Sequence, residues 1–350
     1  MKTRFFAFFT VSMLLINLAG LAVADTRGHG LRKSQSDELI ALLPASDGVA
    51  TIDSRRFLTD AMPKILVSNQ PILAAITAHL DEMQSKTGID FRKFDSVAVG
   101  VAMTKISDKN YVFDPVAIAR GDIKAGALIA IAKLASNGTY REEKVGERII
   151  YVFSVKEVMQ KTAAKTGKSK IESMIEKSLN GLTHEIAVTS LDANTLAFGS
   201  LARVRETIEA RTHVSPDISA LLLQKETSVM DFAMRTPDGM SKLLPLDNDE
   251  LGANIDAIRF VSGSVGVAAA GTSLQMIAKT VKPEQAKGLM DTLEGLQVVS
   301  KAILGNSKNA NQKIYARLIE NAKFSRTGSA VTLDLLVPQA DIDVLVAGMK

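Results

Sequence analysis

The chain has 350 residues, with 42 Lys and Arg against 38 Asp and Glu, a formal net charge of +4 and no cysteine. That balance argues against nucleic acid and against a strongly anionic partner. The missing thiols exclude thiol catalysis, thiolate metal sites and a disulfide framework, so a hydrophobic core must hold the fold unaided.

The chain opens MKTRFFAFFTVSMLLINLAGLAVADTRGHG. Lys2 and Arg4 form a positive start, Phe5 to Val23 is almost wholly apolar, and Ala22-Val23-Ala24 has the small-x-small form that signal peptidase accepts. These features predict a signal peptide over 1–24, cleaved after Ala24, and a periplasmic or secreted protein. A retained anchor helix is the competing reading, since the apolar run is nearly long enough to span a bilayer. Removal takes away Lys2 and Arg4 but none of the 38 acidic residues, so 326 residues remain and the net charge falls from +4 to +2. No transmembrane span is expected after it: AGALIAIAKLA (125–135) is too short, and Arg120, Asp122, Lys124 and Lys133 flank or interrupt it.

Residues 25–37 are polar and without periodicity, which predicts a flexible leader. A first α+β unit is expected over 38–224. In ELIALLPASDGVATIDSRRFL, Pro44 and Ser46-Asp47-Gly48 end a short helix, and Val49 to Ile52 reads as a strand. Helical spacing follows through Leu58 to Leu66. It resumes in PILAAITAHLDEMQSKTG, with Pro71 placed for a helix start and Gly88 for a stop.

The next strand is FDSVAVGVAM. Its period of two puts Val97, Val99, Val101 and Met103 on one side and Phe94, Ser96, Ala98, Gly100 and Ala102 on the other. A strand with one face reduced to small side chains lets a helix, a second sheet or a ligand approach closely. A strand, a break and an apolar helix follow in PVAIARGDIKAGALIAIAKLA. Ala127 to Ala132 is apolar all round, which predicts burial on every side or a face offered to a partner or apolar ligand. The hairpin TYREEKVGERIIYVFSV turns near Gly146 (about 139–155). A helix in SKIESMIEKSLNG, a hairpin in HEIAVTSLDANTLAFGS and a closing helix in LARVRETIEAR complete this unit.

A second unit is expected over 225–350, because the pattern repeats. IDFRKFDSVAVGVA (89–102) and IDAIRFVSGSVGVA (255–268) align without a gap, and Phe260, Ser262, Ser264, Gly266 and Ala268 keep the small face. SLQMIAKTVKPEQAKGLMDTLEGLQ, NQKIYARLIENAK, FSRTGSAVTLDLLVP and QADIDVLVAGMK then follow in the order of the first unit. The predicted fold is α+β: two similar halves, each an antiparallel sheet with helices packed on it, a ferredoxin-like type of duplication. The hairpin near 139–155 has no second counterpart and is where an asymmetric function would reside.

Motifs for chemistry are weak. Ser262 to Gly266 (SGSVG) misplaces the glycines of a nucleophile elbow, and the Lys-Thr-Gly triplets at 86–88 and 165–167 have no Ser-x-x-Lys partner. TAAKTGKS (162–169) has Thr162 where a phosphate loop needs glycine. His29, His79, His184 and His213 are isolated. DNDELG (247–252) begins like a calcium loop but carries Leu251 and Ile258 at ligand positions, so helix capping by Asp247 or Asp249 is expected. The paired Asp90 and Asp256 could act as acid and base if brought together; their place before a strand predicts turn or capping bonds instead. Lys156, Lys161, Lys165, Lys168 and Lys170 form a basic stretch, balanced by Glu172 and Glu176, that reads as a solvated face. Asn137-Gly138-Thr139 is a glycosylation triplet only in a eukaryotic secretory route.

At LLPASDGVATIDSRRF the chain resembles a loose class of bacterial exported proteins of unknown function, in which a Leu-Pro-x-x-x segment precedes a strand and a duplicated Gly-Ile-Asp … Val-Gly unit. Leu43, Pro44, Asp47, Ile52 and Asp53 match that opening, and Gly88-Ile89-Asp90 the later unit. The resemblance implies no reaction, cofactor or catalytic residue. The expected function is an exported, non-catalytic binding or interaction protein with an envelope or extracellular partner, and no catalytic, cofactor or metal residue is assigned. A carrier of an apolar small molecule or lipid is one alternative, and an envelope hydrolase is another.

Overall fold

The computed structural model describes residues 29–87, 90–107, 110–136, 138–154, 185–243, 249–304 and 310–347. The predicted signal peptide, the 162–169 loop, the Lys156–Lys170 stretch, the helix in 169–181, His184, Asn137 and Asp247 lie outside them. The chain divides into two compact units. The first comprises Met1–Leu58, His79–Thr104 and Val112–Ser215, and the second Thr59–Ala78, Lys105–Tyr111 and Pro216–Lys350. The main boundary at 215/216 lies nine residues before the one expected from sequence.

In the first unit, helix α1 (His29–Leu42) precedes β1 (Gly48–Asp53). Residues 29–37, expected as a flexible leader, are therefore helical. They continue into a turn anchored by Leu39, Ile40 and Leu43, all buried, and Glu38 accepts from Arg120 Nη1 at 2.6 Å. Apolar anchoring at one end stabilises a helix that polar composition alone would leave open. Asp53 caps α2 (Ser54–Arg56) by accepting from the Arg56 amide at 2.8 Å. A π-helical turn (Phe57–Ala61), α3 (Met62–Ile65) and α4 (Gln70–Thr87) follow; of these residues, Thr59–Ala78, with α3 and the first half of α4, belong to the second unit. A 3₁₀ turn (Phe91–Lys93) then leads into β2 (Phe94–Ser107) and β3 (Asn110–Gly121). Next come α5 (Ala125–Ala135), the hairpin β4 (Tyr140–Val145) and β5 (Arg148–Ser154), the hairpin β6 (Glu185–Ser190) and β7 (Thr195–Gly199), and α6 (Leu201–Glu209). Gly146 at φ +60° makes the predicted β4–β5 turn. The strand order is β1-β2-β3-β7-β6-β5-β4.

The second unit runs α7 (Pro216–Ser219), β8 (Ser228–Arg235), a 3₁₀ turn (Met240–Leu243), α8 (Asp249–Asp256), β9 (Ile258–Ala268) and β10 (Gly271–Thr280). It ends with α9 (Pro283–Leu304), α10 (Ala310–Asn321), β11 (Lys323–Thr327), β12 (Ala330–Pro338) and α11 (Gln339–Ala347). Its strand order is β8-β9-β10-β12-β11.

Both units are thus antiparallel sheets with helices, as expected, but the strand order is not ferredoxin-like. That arrangement needs a crossover to a parallel strand. Here Asp53 at the end of β1 lies opposite Ser96 near the start of β2, and Arg235 at the end of β8 lies opposite Phe260. Each helical excursion leaves and returns at the same end of the sheet, so its two strands pair antiparallel.

One helix stripe closes each core. Ala125 and Ile129 of α5 pack with Leu196, Leu128, Tyr151 and Val188 in the first unit. Ala286 and Leu289 of α9 pack with Ile258 and Val331 in the second. Helix α5 is not buried all round: Ala127, Ala130 and Leu134 are exposed, because one stripe suffices to cover the sheet and no described element overlies the other.

Candidate functional site

The strand register of the second unit builds one polar row across the sheet, buried at Asp231 and Ser264 and exposed at Asp334 and Lys323. Directly opposed residues in antiparallel strands share a face, and Asp231, Ser264, Gln275, Asp334 and Lys323 lie opposite one another in turn across β8, β9, β10, β12 and β11. The neighbouring row on the opposite face is apolar: Phe232, Gly263, Met276, Leu333 and Phe324. The polar row borders an open cleft of about 250 Å³ whose rim includes Lys225, Thr227, Ser273, Asn321 and Lys323.

Hydrogen bonds organise its floor. Gln275 Nε2 donates to Asp334 Oδ1 at 2.6 Å, and Ser273 Oγ donates to the Gly266 carbonyl at 3.3 Å. Ser228, buried on β8, directs its hydroxyl to Asp231 Oδ2 at 2.6 Å and to the Lys225 carbonyl at 2.8 Å. Asp231 is buried, and desolvation raises its pKa above the ordinary carboxylate value; the Ser228 bond, the Gln224 and Lys225 amides and the Lys225 charge oppose that rise. Asp231 thereby ties the loop before β8 to the sheet and sets where Lys225 stands. The one carboxylate exposed in the cleft, Asp334, already accepts from Gln275, while two ammonium groups stand on the rim. The cleft thus offers the Lys225 and Lys323 ammonium groups as hydrogen-bond donors beside a carboxylate that is already partnered.

Gly266 lines this cleft, and the paired small-faced strands have different surroundings. In the first unit the small face is covered: a Cβ on Gly100 would lie 2.5 Å from Ser46 Oγ and 3.4 Å from Leu43 Cδ2. Ser46 is held by Arg203, whose Nη2 donates to its Oγ at 2.7 Å, and it donates in turn to the Pro44 carbonyl at 2.8 Å. In the second unit Ser262 and Ser264 are buried, while Gly266 faces Thr227 and Ser273 at the cleft.

The other sequence candidates have local roles. Asp90 caps the 91–93 turn through the Arg92 amide at 3.1 Å and accepts from Arg92 Nε at 2.8 Å. Asp256 clamps Ser241, accepting from its amide at 2.8 Å and its hydroxyl at 2.7 Å. They lie in different units, each with its own partners. Lys86 and Thr87 end α4, Asp249 opens α8, and Ser262 to Gly266 is mid-strand in β9. His79 lies 3.9 Å from Glu82, and His213 is exposed. Among the described residues no group of three or more His, Asp or Glu is placed to hold a metal ion, and no helix is long and apolar enough to cross a membrane.

Sequence reading missed Lys225, Gln275, Lys323 and Asp334. A signal existed: Gln275 in SLQMI and Asp334 in TLDLL interrupt apolar runs at period-two positions, which marks a wetted face. Only the register shows that these positions meet.

No protein-family model and no curated protein matches the chain. Among solved structures it is similar to TP0453 in crystal form III, with a TM-score of 0.43 and 10% identity over 88% of this chain and 97% of that one. Crystal form I of TP0453 gives a TM-score of 0.40 and 9% identity over 89% and 97%.

Proposed function

We propose that this chain is an exported, non-catalytic binding protein made of two copies of one α+β unit, and that its second unit holds a small polar anion in the cleft over β8–β12. The observation that carries the reading is the cross-strand row from Asp231 to Lys323, with two lysines on the rim and its exposed carboxylate already bonded. Export rests on the 1–24 signal pattern. The two-copy origin is supported by strand order: β1-β2-β3-β7-β6 and β8-β9-β10-β12-β11 each place the first three strands in sequence and then the fifth before the fourth. The β4–β5 hairpin is then the addition to the first copy. Non-catalytic use is favoured by Ser228, the buried hydroxyl of the site, which donates to Asp231 and has no histidine within its unit to act as a base.

The test is calorimetric titration of the mature protein with inorganic phosphate and with a short dicarboxylate. One of the two is expected to bind saturably, more weakly as salt rises, and about tenfold or more weakly in Lys225→Ala and Lys323→Ala, in line with the loss of one charge-assisted hydrogen bond each. Absence of binding by both anions, or binding indifferent to both substitutions, overturns the assignment.

A further inference from the structure

Strand β4 ends the sheet of the first unit. In the strand order only β5 stands beside it, so among the described residues its outer edge has no partner strand. Gly146, at φ +60°, and Glu147 close the hairpin as a two-residue turn between Val145 and Arg148. The pair that closes such a turn exchanges backbone hydrogen bonds, and bonded pairs alternate along an antiparallel ladder. Arg141, Glu143 and Val145 therefore direct their N–H and C=O groups to β5, while Tyr140, Glu142 and Lys144 direct theirs outward. An unpaired row of this kind is a template for another strand.

The side chains make the template selective. Glu142 and Lys144, at outward-bonding positions, are exposed. Lys133 of α5 donates to Glu142 Oε1 at 3.1 Å while its Nζ stands 4.9 Å from the Tyr140 ring centroid, which leaves Glu142 Oε2 for a second cation. Glu143, on the other face of the strand, pairs with Arg205 and lies 4.0 Å from Arg141.

We propose that the β4 edge pairs antiparallel with β4 of a second copy of this chain, about a two-fold axis at Glu143, so that Glu142 of each copy meets Lys144 of the other. Such an interface is isologous and closes as a dimer. Backbone direction and charge fix the register. Outward-bonding residues must face outward-bonding residues, which excludes a shift of one position. A shift of two sets Glu142 opposite Glu142, or Lys144 opposite Lys144, and like charges directly opposed are destabilising. In the remaining register Glu143 faces its own copy, and Arg205 and Arg141 already offset its charge. Both Glu142–Lys144 pairs then form, with about four backbone hydrogen bonds. The axis stands perpendicular to the sheet, so α5 of each copy lies on the same face. Leu134, 76% exposed on the end of α5 that reaches β4 through Lys133, is carried toward its counterpart. About five residues a side make a small interface, of the weak and reversible class.

Analytical ultracentrifugation of the mature chain over a concentration series tests it, with wild type, Glu142→Lys and Lys144→Glu. Wild type is expected to pass reversibly from monomer to dimer. Each substitution sets like charges opposite one another at both pairs and should weaken the dimer about tenfold or more. An equimolar mixture of the two variants restores opposite charges at both pairs and should dimerise about tenfold or more tightly than either variant alone. Hydrogen exchange locates the contact: the Glu142 and Lys144 amides slow as concentration rises, while those of Arg141 and Glu143, bonded to β5 already, do not change. A chain that stays monomeric at every concentration assigns these charges to keeping the edge unpaired, and overturns the proposal. So do a dimer indifferent to both substitutions, a mixture no tighter than either variant alone, and Glu142 and Lys144 amides protected at every dilution, which places the cover of this edge within the chain.

Discussion

Replacing Gly100 with alanine probes how the first unit covers its small-faced strand. The new methyl would sit 2.5 Å from Ser46 Oγ, inside contact distance, with Leu43 Cδ2 at 3.4 Å. Overpacking of this kind costs about 1–3 kcal/mol. Ser46 is also the acceptor for Arg203 Nη2, and Arg203 is only 4% exposed, with Nε already lacking a partner. Displacing the Ser46 hydroxyl leaves a buried guanidinium donor unmatched, which adds about 1–3 kcal/mol. The gain from restricting the unfolded chain offsets about 0.4–1 kcal/mol. The net expectation is a loss of about 1–5 kcal/mol, with a melting midpoint lower by about 2–4 °C for each kcal/mol. A double-mutant cycle identifies the cause. Ser46→Ala removes both the clashing oxygen and the acceptor, so it has its own cost; on that background Gly100→Ala should cost less than about 1 kcal/mol, a coupling of about 1–3 kcal/mol. Urea unfolding of the four proteins, followed by circular dichroism, measures it. Additivity within about 0.5 kcal/mol would refute the claim that Ser46 is what Gly100 makes room for.

Burial raises the Asp231 pKa in the folded protein, so its contribution to stability is present at low pH and is lost as pH rises from near 3.8 through the raised folded value. Asp231→Asn should remove that component of the pH–stability curve, seen in urea midpoints taken between acidic and neutral pH; an unchanged curve would count against it. Asp256→Ala should cost about 1–3 kcal/mol by releasing the Ser241 amide and hydroxyl, and Asp90→Ala about 0.5–2 kcal/mol by uncapping the 91–93 turn. Thermal melts measure both, and an unchanged melting midpoint in either variant would contradict the bonds assigned to that aspartate. Gly271 lies at φ +138° with its Cβ direction pointing into the Val337 carbonyl. Gly271→Ala should therefore destabilise the second unit by about 2–5 kcal/mol, read as loss of soluble protein or a lowered melting midpoint.

Local order was legible in the sequence wherever a residue acts on its own neighbourhood. Pro71 near a helix start, the Gly146 turn, the period of two in 94–103 and the capping by Asp90 all follow from backbone sterics or hydrogen bonds spanning a few positions. The small strand faces were legible too, as a demand for close approach. What approaches was not: Ser46 and Leu43 reach Gly100 from more than fifty positions away, and Arg203, from a helix over a hundred positions on, holds Ser46 in place. The ferredoxin-like strand order failed for the same reason, since alternation tells a strand which face is apolar and nothing about which strand lies beside it.

By itself, the sequence determined the alternation of strands and helices, their turns and caps, and the repeated motif around 89–102 and 255–268. Tertiary structure alone decided the antiparallel return of each helical excursion, the one-sided burial of α5, and the meeting of Asp231, Ser264, Gln275, Asp334 and Lys323 on one face. Those depend on register. A shift of a single residue in any one strand would turn its polar member of that row to the apolar side, and no stretch of sequence read alone carries the position of its partner.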